Sequence, residues 1–234
     1  MSDLLGALGQ AWPRLLLYPG GLSAMLAVVM FARLRGVTIT RDRHITTLID
    51  TLPPLCVLTL LPLAPAASFA YGLDLATTLL LLMWPVMHQA AQERRDPRDV
   101  INQYLPIIMA AMVFASITNT LSLSGLLRWP AEPLPQIGYS LGIVAWFVGS
   151  SQIMSTRPNL ATACSELGFV MVGVLPLSAG LQALPVPGEI AGWGIVFASV
   201  VIAMVITIGA GYLPRWIRYL IAGATLLASG LAIG

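Results

Sequence analysis

IAGWGIVFASVVIAMVITIGAG, residues 190–211, runs for 22 residues without one ionisable side chain. About 20 mostly apolar residues in a helix span the roughly 30 Å hydrocarbon core of a bilayer, where a lipid-facing backbone must satisfy its own hydrogen bonds. The stretch therefore predicts a membrane-crossing helix. Just beyond it, YLPRWIR at residues 212–218 forms a basic corner with Arg215 and Arg218. The same character extends over the whole chain of 234 residues, of which 57% are hydrophobic and 9% charged. Ordinary soluble domains carry about 25% charged residues. The apolar runs do not alternate with polar residues, as the strands of a transmembrane barrel do. The predicted class is all-α, a single polytopic transmembrane domain over residues 1–234.

Apolar runs bounded by charges and Pro/Gly clusters predict eight spans, at residues 15–31, 51–69, 73–91, 104–127, 135–154, 162–184, 190–211 and 217–233. Eight spans put successive loops on alternating sides, so the basic residues test the count. Ten arginines fall on one side: Arg33, Arg35, Arg41, Arg43, Arg94, Arg95, Arg98, Arg157, Arg215 and Arg218. Only Arg14 and Arg128 fall on the other, and there is no Lys. This asymmetry predicts cytoplasmic Arg-rich loops and both termini outside the cytoplasm, in the inner membrane of a bacterium or archaeon. The amino end has an early Asp3 and no basic segment, so the first span is expected to stay in the mature protein. A net charge of +2 is too small to point to nucleic acid. Cys56 and Cys164 have no metal-ligand spacing and are expected to be small buried residues.

Ionisable residues inside membrane spans are costly and often functional. Four stand out. Asp50 precedes Thr51, Pro53 and Pro54, a pattern that suits a helix start, where a carboxylate caps free amides; proton handling is the alternative. Asp74, after Gly72, reads as a cap or a proton site, and His88 as an interfacial residue. Glu166 lies about one turn into the sixth span, either as a proton site or as an acid at a helix amino end facing the cytoplasmic interface. The spacing of Gly138 with Gly142, and of Gly188 with Gly192, fits close helix packing. Pro62, Pro85, Pro106 and Pro176 are expected to sit within spans. No phosphate loop, nucleophile elbow or metal cluster is present, so no catalytic residue, no metal and no cofactor are assigned to the chain.

PLPQIGYSLGIVAWFVGSSQIM at 133–154 leads into STRPNLATACSELGF at 155–169. LYPGGLSAMLAVV, GLDLATTLLLLMWPVM, TLSLSGLL and GAGYLPRWIRYL fall in a matching order around them. Together these segments resemble the H-type membrane subunits of respiratory complex I, a family shared with the matching membrane subunit of energy-converting, formate-hydrogenlyase-type hydrogenases. In that family the fifth helix is followed by Asn-Arg-x-Pro-Phe-Asp, several acids and then Ser-Glu-Leu. Arg157 and Pro158 match the opening, and Ser165, Glu166 and Leu167 match the close.

The resemblance implies a coupling subunit that docks a cytoplasmic electron-transfer module onto ion-pumping membrane subunits, as a non-catalytic part of an oxidoreductase or ion-translocating complex. It also implies a quinone chamber beside the acidic loop. Here only Glu166 remains of the acids, with Asn159 near the expected Asp and Thr162, Ala163 and Cys164 in the acid-rich region. The loop RLRGVTITRDRHITTLID at 33–50 is also short for a segment bordering quinone entry. Quinone binding is thus doubtful for this chain. Candidates for a proton or ion path are Glu166, then Asp50 and Asp74, with Arg157 holding the loop near a partner interface. Arg94, Arg95, Arg98, Arg41 and Arg43 suit a soluble partner or anionic headgroups, or simply orient the chain. The alternatives are an assembly scaffold with no ion path and a small stand-alone transporter or channel.

Overall fold

The computed structural model describes residues 21–40, 45–61, 73–183 and 191–233, and within them the chain forms eight α-helices and one 3-10 helix. In order these are α1 (Gly21–Leu34), α2 (Ile45–Leu60), α3 (Leu75–Gln92), α4 (Pro97–Thr118), the 3-10 helix η1 (Leu123–Leu127), α5 (Pro133–Gln152), α6 (Leu160–Gln182), α7 (Ala191–Gly211) and α8 (Arg215–Ile233). Each apolar run of the sequence thus contributes one α-helix. Among the described residues, three helical stretches can cross a membrane by length and composition: Arg98–Thr118, Leu160–Gln182 and Gly194–Gly211. Leu22–Leu34 and Ile49–Leu60 are shorter apolar helices.

The helix ends have local causes. Asp74, Asp96 and Asn159 start α3, α4 and α6 by accepting from the backbone N–H of Thr77 (2.6 Å), Arg98 (2.9 Å) and Thr162 (2.8 Å). Each takes up a donor that has no acceptor within its helix. At the far ends, α1 and α3 close alike. The N–H groups of Gly36 and Val37 donate to Arg33 and Ala32, and those of Arg94 and Arg95 donate to Ala91 and Ala90. This nested pair places the residue after the cap in the left-handed region. Gly36 adopts φ +69° there at no steric cost, whereas Arg94 adopts φ 53° with a side chain in the way.

Two elements depart from the sequence reading. Helix α2 begins at Ile45, so Asp50 is its sixth residue instead of its cap, and Pro53 and Pro54 lie inside it. Tertiary packing holds the proline pair in place: Thr51, Val57 and Leu58 are buried on the inward face. The same rotation leaves Cys56 exposed, correcting its expected burial, while Cys164 is buried. Helix α4 stops at Thr118 and does not run on to 127, because Asn119 turns left-handed at φ 51°. Thr118 Oγ1 donates to Phe114 O and Thr120 O, and Ser122 N–H donates to Thr120 Oγ1. In this Ser/Thr/Asn-rich run, hydroxyls compete with the helical ladder. The segment then pairs with the start of α3, Leu75 N–H donating to Leu121 O at 2.6 Å.

Helix α6 is the centre of the bundle, packed by α1, α2, α3, α5, α7 and η1. Its residues Leu167, Phe169, Val170, Val174 and Leu175 are fully buried, as expected of a helix that is apolar on every side. Beside it, Phe114, Tyr139, Trp146 and Phe169 form a continuous aromatic cluster with neighbouring ring centroids 5.1–6.4 Å apart. Tyr139 OH donates to Leu126 O and Trp146 Nε1–H to Phe169 O, both at 2.7 Å, so the cluster strands neither polar atom. Glycines let these rings approach. A Cβ on Gly142 would lie 2.9 Å from Phe114, and one on Gly173 would lie 2.6 Å from Trp146. Pro85, Pro106 and Pro176 lie within α3, α4 and α6 as expected, while Pro62 and Gly188 fall outside the described residues. Helix α7 is the opposite of α6: its apolar stretch is 22% buried, and Phe197 and Val205 project outward. Such a face is stable against hydrocarbon.

Candidate functional site

Glu166 is the seventh residue of α6, with a side chain that is 2% exposed. Its Oε2 pairs with Arg35 Nη1, and its Oε1 accepts from Ser155 N–H at 2.6 Å. Arg35 Nη2 completes the triangle by donating to Ser155 O at 2.7 Å. The Arg35 side chain is 9% exposed, and its guanidinium stands 5.5 Å from the centre of the Phe31 ring. Burying two charges is costly unless they are paired and hydrogen-bonded, and here both carboxylate oxygens are engaged.

Local sequence brings the parts together. Arg35 is the capping residue of α1, and the left-handed Gly36 turns the chain sharply after it. The strand-like segment that follows lies against the loop before α6, with Thr40 N–H donating to Pro158 O at 2.9 Å and Thr40 bridging to Asn159. From the other side, Asn159 caps α6 and sets Glu166 two turns further in. The flanking residues of the Ser-Glu-Leu triplet fix the helix: Ser165 Oγ donates to Leu82 O of α3, and Leu167 is in the core. The result is an electrostatic clamp between two regions remote in sequence, the end of α1 and the stretch from Ser155 to Glu166.

Arg157 does not hold this loop through its side chain. That side chain is exposed, and its backbone N–H bonds Ser155 Oγ at 3.1 Å; Arg35 is the partner of Glu166. Sequence reasoning counted Arg35 only as an inward-side charge. The signal available was a basic residue directly before Gly at a helix end, which aims the side chain back over the helix terminus. Glu166 likewise differs from an interfacial acid: it lies deeper than one turn and is closed off from solvent.

Asp50 and His88 form a second pair, with Asp50 Oδ1 2.7 Å from His88 Nδ1 and the His88 and Asp50 side chains 32% and 17% exposed. Trp84 stacks on the His88 ring at 5.9 Å. This contact joins α2 to α3 and replaces the capping role expected of Asp50. Asp74 does cap α3, accepting from the Thr77 backbone N–H at 2.6 Å and from the Thr77 hydroxyl at 3.1 Å. Asp74 stands at the opposite end of α3 from His88, about 21 Å along a helix rising 1.5 Å per residue. The three acids therefore occupy separate settings.

Arg94, Arg95 and Arg98 are exposed around the turn between α3 and α4, where Arg95 pairs with Glu93. Arg41 and Arg43 lie outside the described residues. Among the described residues, no three His, Cys, Asp or Glu side chains are grouped to hold a metal. Thr162 Oγ1 donates to Asn159 Oδ1, and Ala163 and Cys164 are packed in the core. In comparisons with protein-family models, curated proteins and solved structures, nothing matches this chain.

Proposed function

We propose that this chain is a membrane-embedded anchoring and coupling subunit of a complex I-like or energy-converting hydrogenase-like assembly in a bacterial or archaeal cytoplasmic membrane. It docks a cytoplasmic electron-transfer module onto ion-pumping membrane subunits. In this reading the chain makes eight crossings with both ends outside, and its Arg-rich loops face the cytoplasm. The observation that carries it is the buried Arg35–Glu166–Ser155 clamp, which joins the segment after α1 to the loop before α6. A surface held in one geometry loses little freedom when a partner docks, which favours association. Exposed Arg94, Arg95, Arg98 and Arg157 supply charge for that contact.

A second reading, a scaffold with no ion path, draws support from the same site. Both Glu166 oxygens are engaged, so taking up a proton requires breaking an ion pair first. The aromatic cluster that fills the bundle beside α6 counts against a stand-alone channel. Extraction of the tagged chain in mild detergent tests the proposal: an iron–sulfur or flavin protein and further membrane subunits should co-purify. Recovery of the chain alone, or only as a homo-oligomer, sinks it. Glu166→Gln then separates the two readings, judged by ions moved per electron in those complexes that assemble. A lowered ratio supports coupling through Glu166, and an unchanged ratio supports the scaffold.

A further inference from the structure

A polar pocket of about 310 Å³ opens where the start of α4, the end of α5 and the start of α8 meet. Asp99, Asn102 and Gln103 line it from α4, Gln152 from α5, and Arg215 and Arg218 from α8. Three polar atoms here are buried without a hydrogen-bond partner: Gln152 Oε1, Gln152 Nε2 and Arg218 Nε. Buried polar atoms are nearly always paired, so a cluster of three beside a polar pocket marks hydrogen-bonding capacity that the chain itself leaves unused. Arg218 is held ready, with Nη1 donating to Ser151 O at 2.8 Å.

The donors define the ligand. Two guanidiniums and the amino ends of two helices favour the oxygens of a phosphate ester. Asp99 adds a condition, since a bare anion meets a carboxylate there; a phosphate carrying an ammonium or hydroxyl donor beside it satisfies both. Tyr219 also lines the pocket, and on the same two helices Trp216 and Leu220 of α8 and Ile101 and Leu105 of α4 are exposed. Aromatic side chains at the charged end of apolar helices sit at headgroup level in a bilayer. We infer that this pocket binds the phosphate of a glycerophospholipid headgroup, whose acyl chains lie along the exposed faces of α4 and α8. The inference rests on the membrane reading of the chain and not on its place in a larger complex.

The test uses the full chain, purified in detergent and stripped of lipid, then titrated with phosphatidylethanolamine, phosphatidylglycerol, diacylglycerol and inorganic phosphate under native mass spectrometry. A tightly retained phospholipid is expected, and the Arg215→Gln/Arg218→Gln variant should weaken it at least about tenfold, or about 1.4 kcal/mol. Gln152→Leu, which keeps both charges, should also weaken it, while Arg94→Gln/Arg95→Gln should not. Equal retention of diacylglycerol, equally tight inorganic phosphate, or unchanged lipid retention in both pocket variants overturns the proposal. A carbonate wash of membranes separates the two levels: loss of the wild-type chain to the soluble fraction defeats the membrane reading itself. Unchanged lipid retention in a chain that stays with the membranes defeats only the pocket.

Discussion

Replacing Glu166 by Gln removes a charge from the clamp and almost nothing else. The amide oxygen still accepts from Ser155 N–H, and the side chain keeps its volume, but Arg35 is left as a buried cation with its side chain 9% exposed. Two unit charges about 4 Å apart interact by about 4 kcal/mol at an effective dielectric of about 20. Removing one partner of a buried pair costs about 3–5 kcal/mol, chiefly because the other charge is stranded. With the Ser155 bond retained, Glu166→Gln should cost about 2–4 kcal/mol. Arg35→Met, which strands the carboxylate and frees Ser155 O, should cost at least as much. The double variant leaves no buried charge, so it should be less destabilised than the sum of the singles by about 2 kcal/mol or more. Unfolding in mixed micelles with increasing SDS, followed by tryptophan fluorescence, gives the four free energies of the cycle. Additivity within about 0.5 kcal/mol would refute the clamp as a coupled unit.

Other substitutions probe the packing and the helix ends. Gly173→Ala puts a Cβ 2.6 Å from Trp146 and 2.7 Å from Phe147, and should cost about 1–3 kcal/mol of overpacking with a changed tryptophan emission. Asn159→Ala removes the cap of α6 and should cost about 1 kcal/mol, while Asn159→Asp keeps the cap and should be close to neutral in the same micelle assay. Arg94→Gly relieves a left-handed backbone at φ 53° and should stabilise by up to about 1 kcal/mol, net of the greater freedom of glycine when unfolded.

The helices were legible because their signals are local. The uncharged run at 190–211 became α7 (Ala191–Gly211), whereas α4 starts at Pro97, ahead of the apolar run at 104, because Asp96 caps it. The errors arose where one local signal had two meanings. Pro53 and Pro54 are good first-turn residues, yet burial of Thr51 and Val57 carries α2 through them, which turns Asp50 towards His88. The apolar run from 104 to 127 looked like one helix, but hydroxyls at Thr118 and Thr120 and the left-handed Asn119 end it early.

By itself, the sequence determined that the chain is all-α and roughly where its helices lie. Hydropathy and capping act within a few residues, and a helix satisfies its own backbone wherever it is placed. Tertiary structure decided which charge meets which. Arg35 and Glu166 are 131 positions apart, and any of several loop arginines could have paired with that acid on sequence grounds. The choice fell to Arg35 because the Gly36 turn, the Thr40–Pro158 contact and the Asn159 cap bring it to the buried end of α6, where a carboxylate without a cation would be too costly to keep charged.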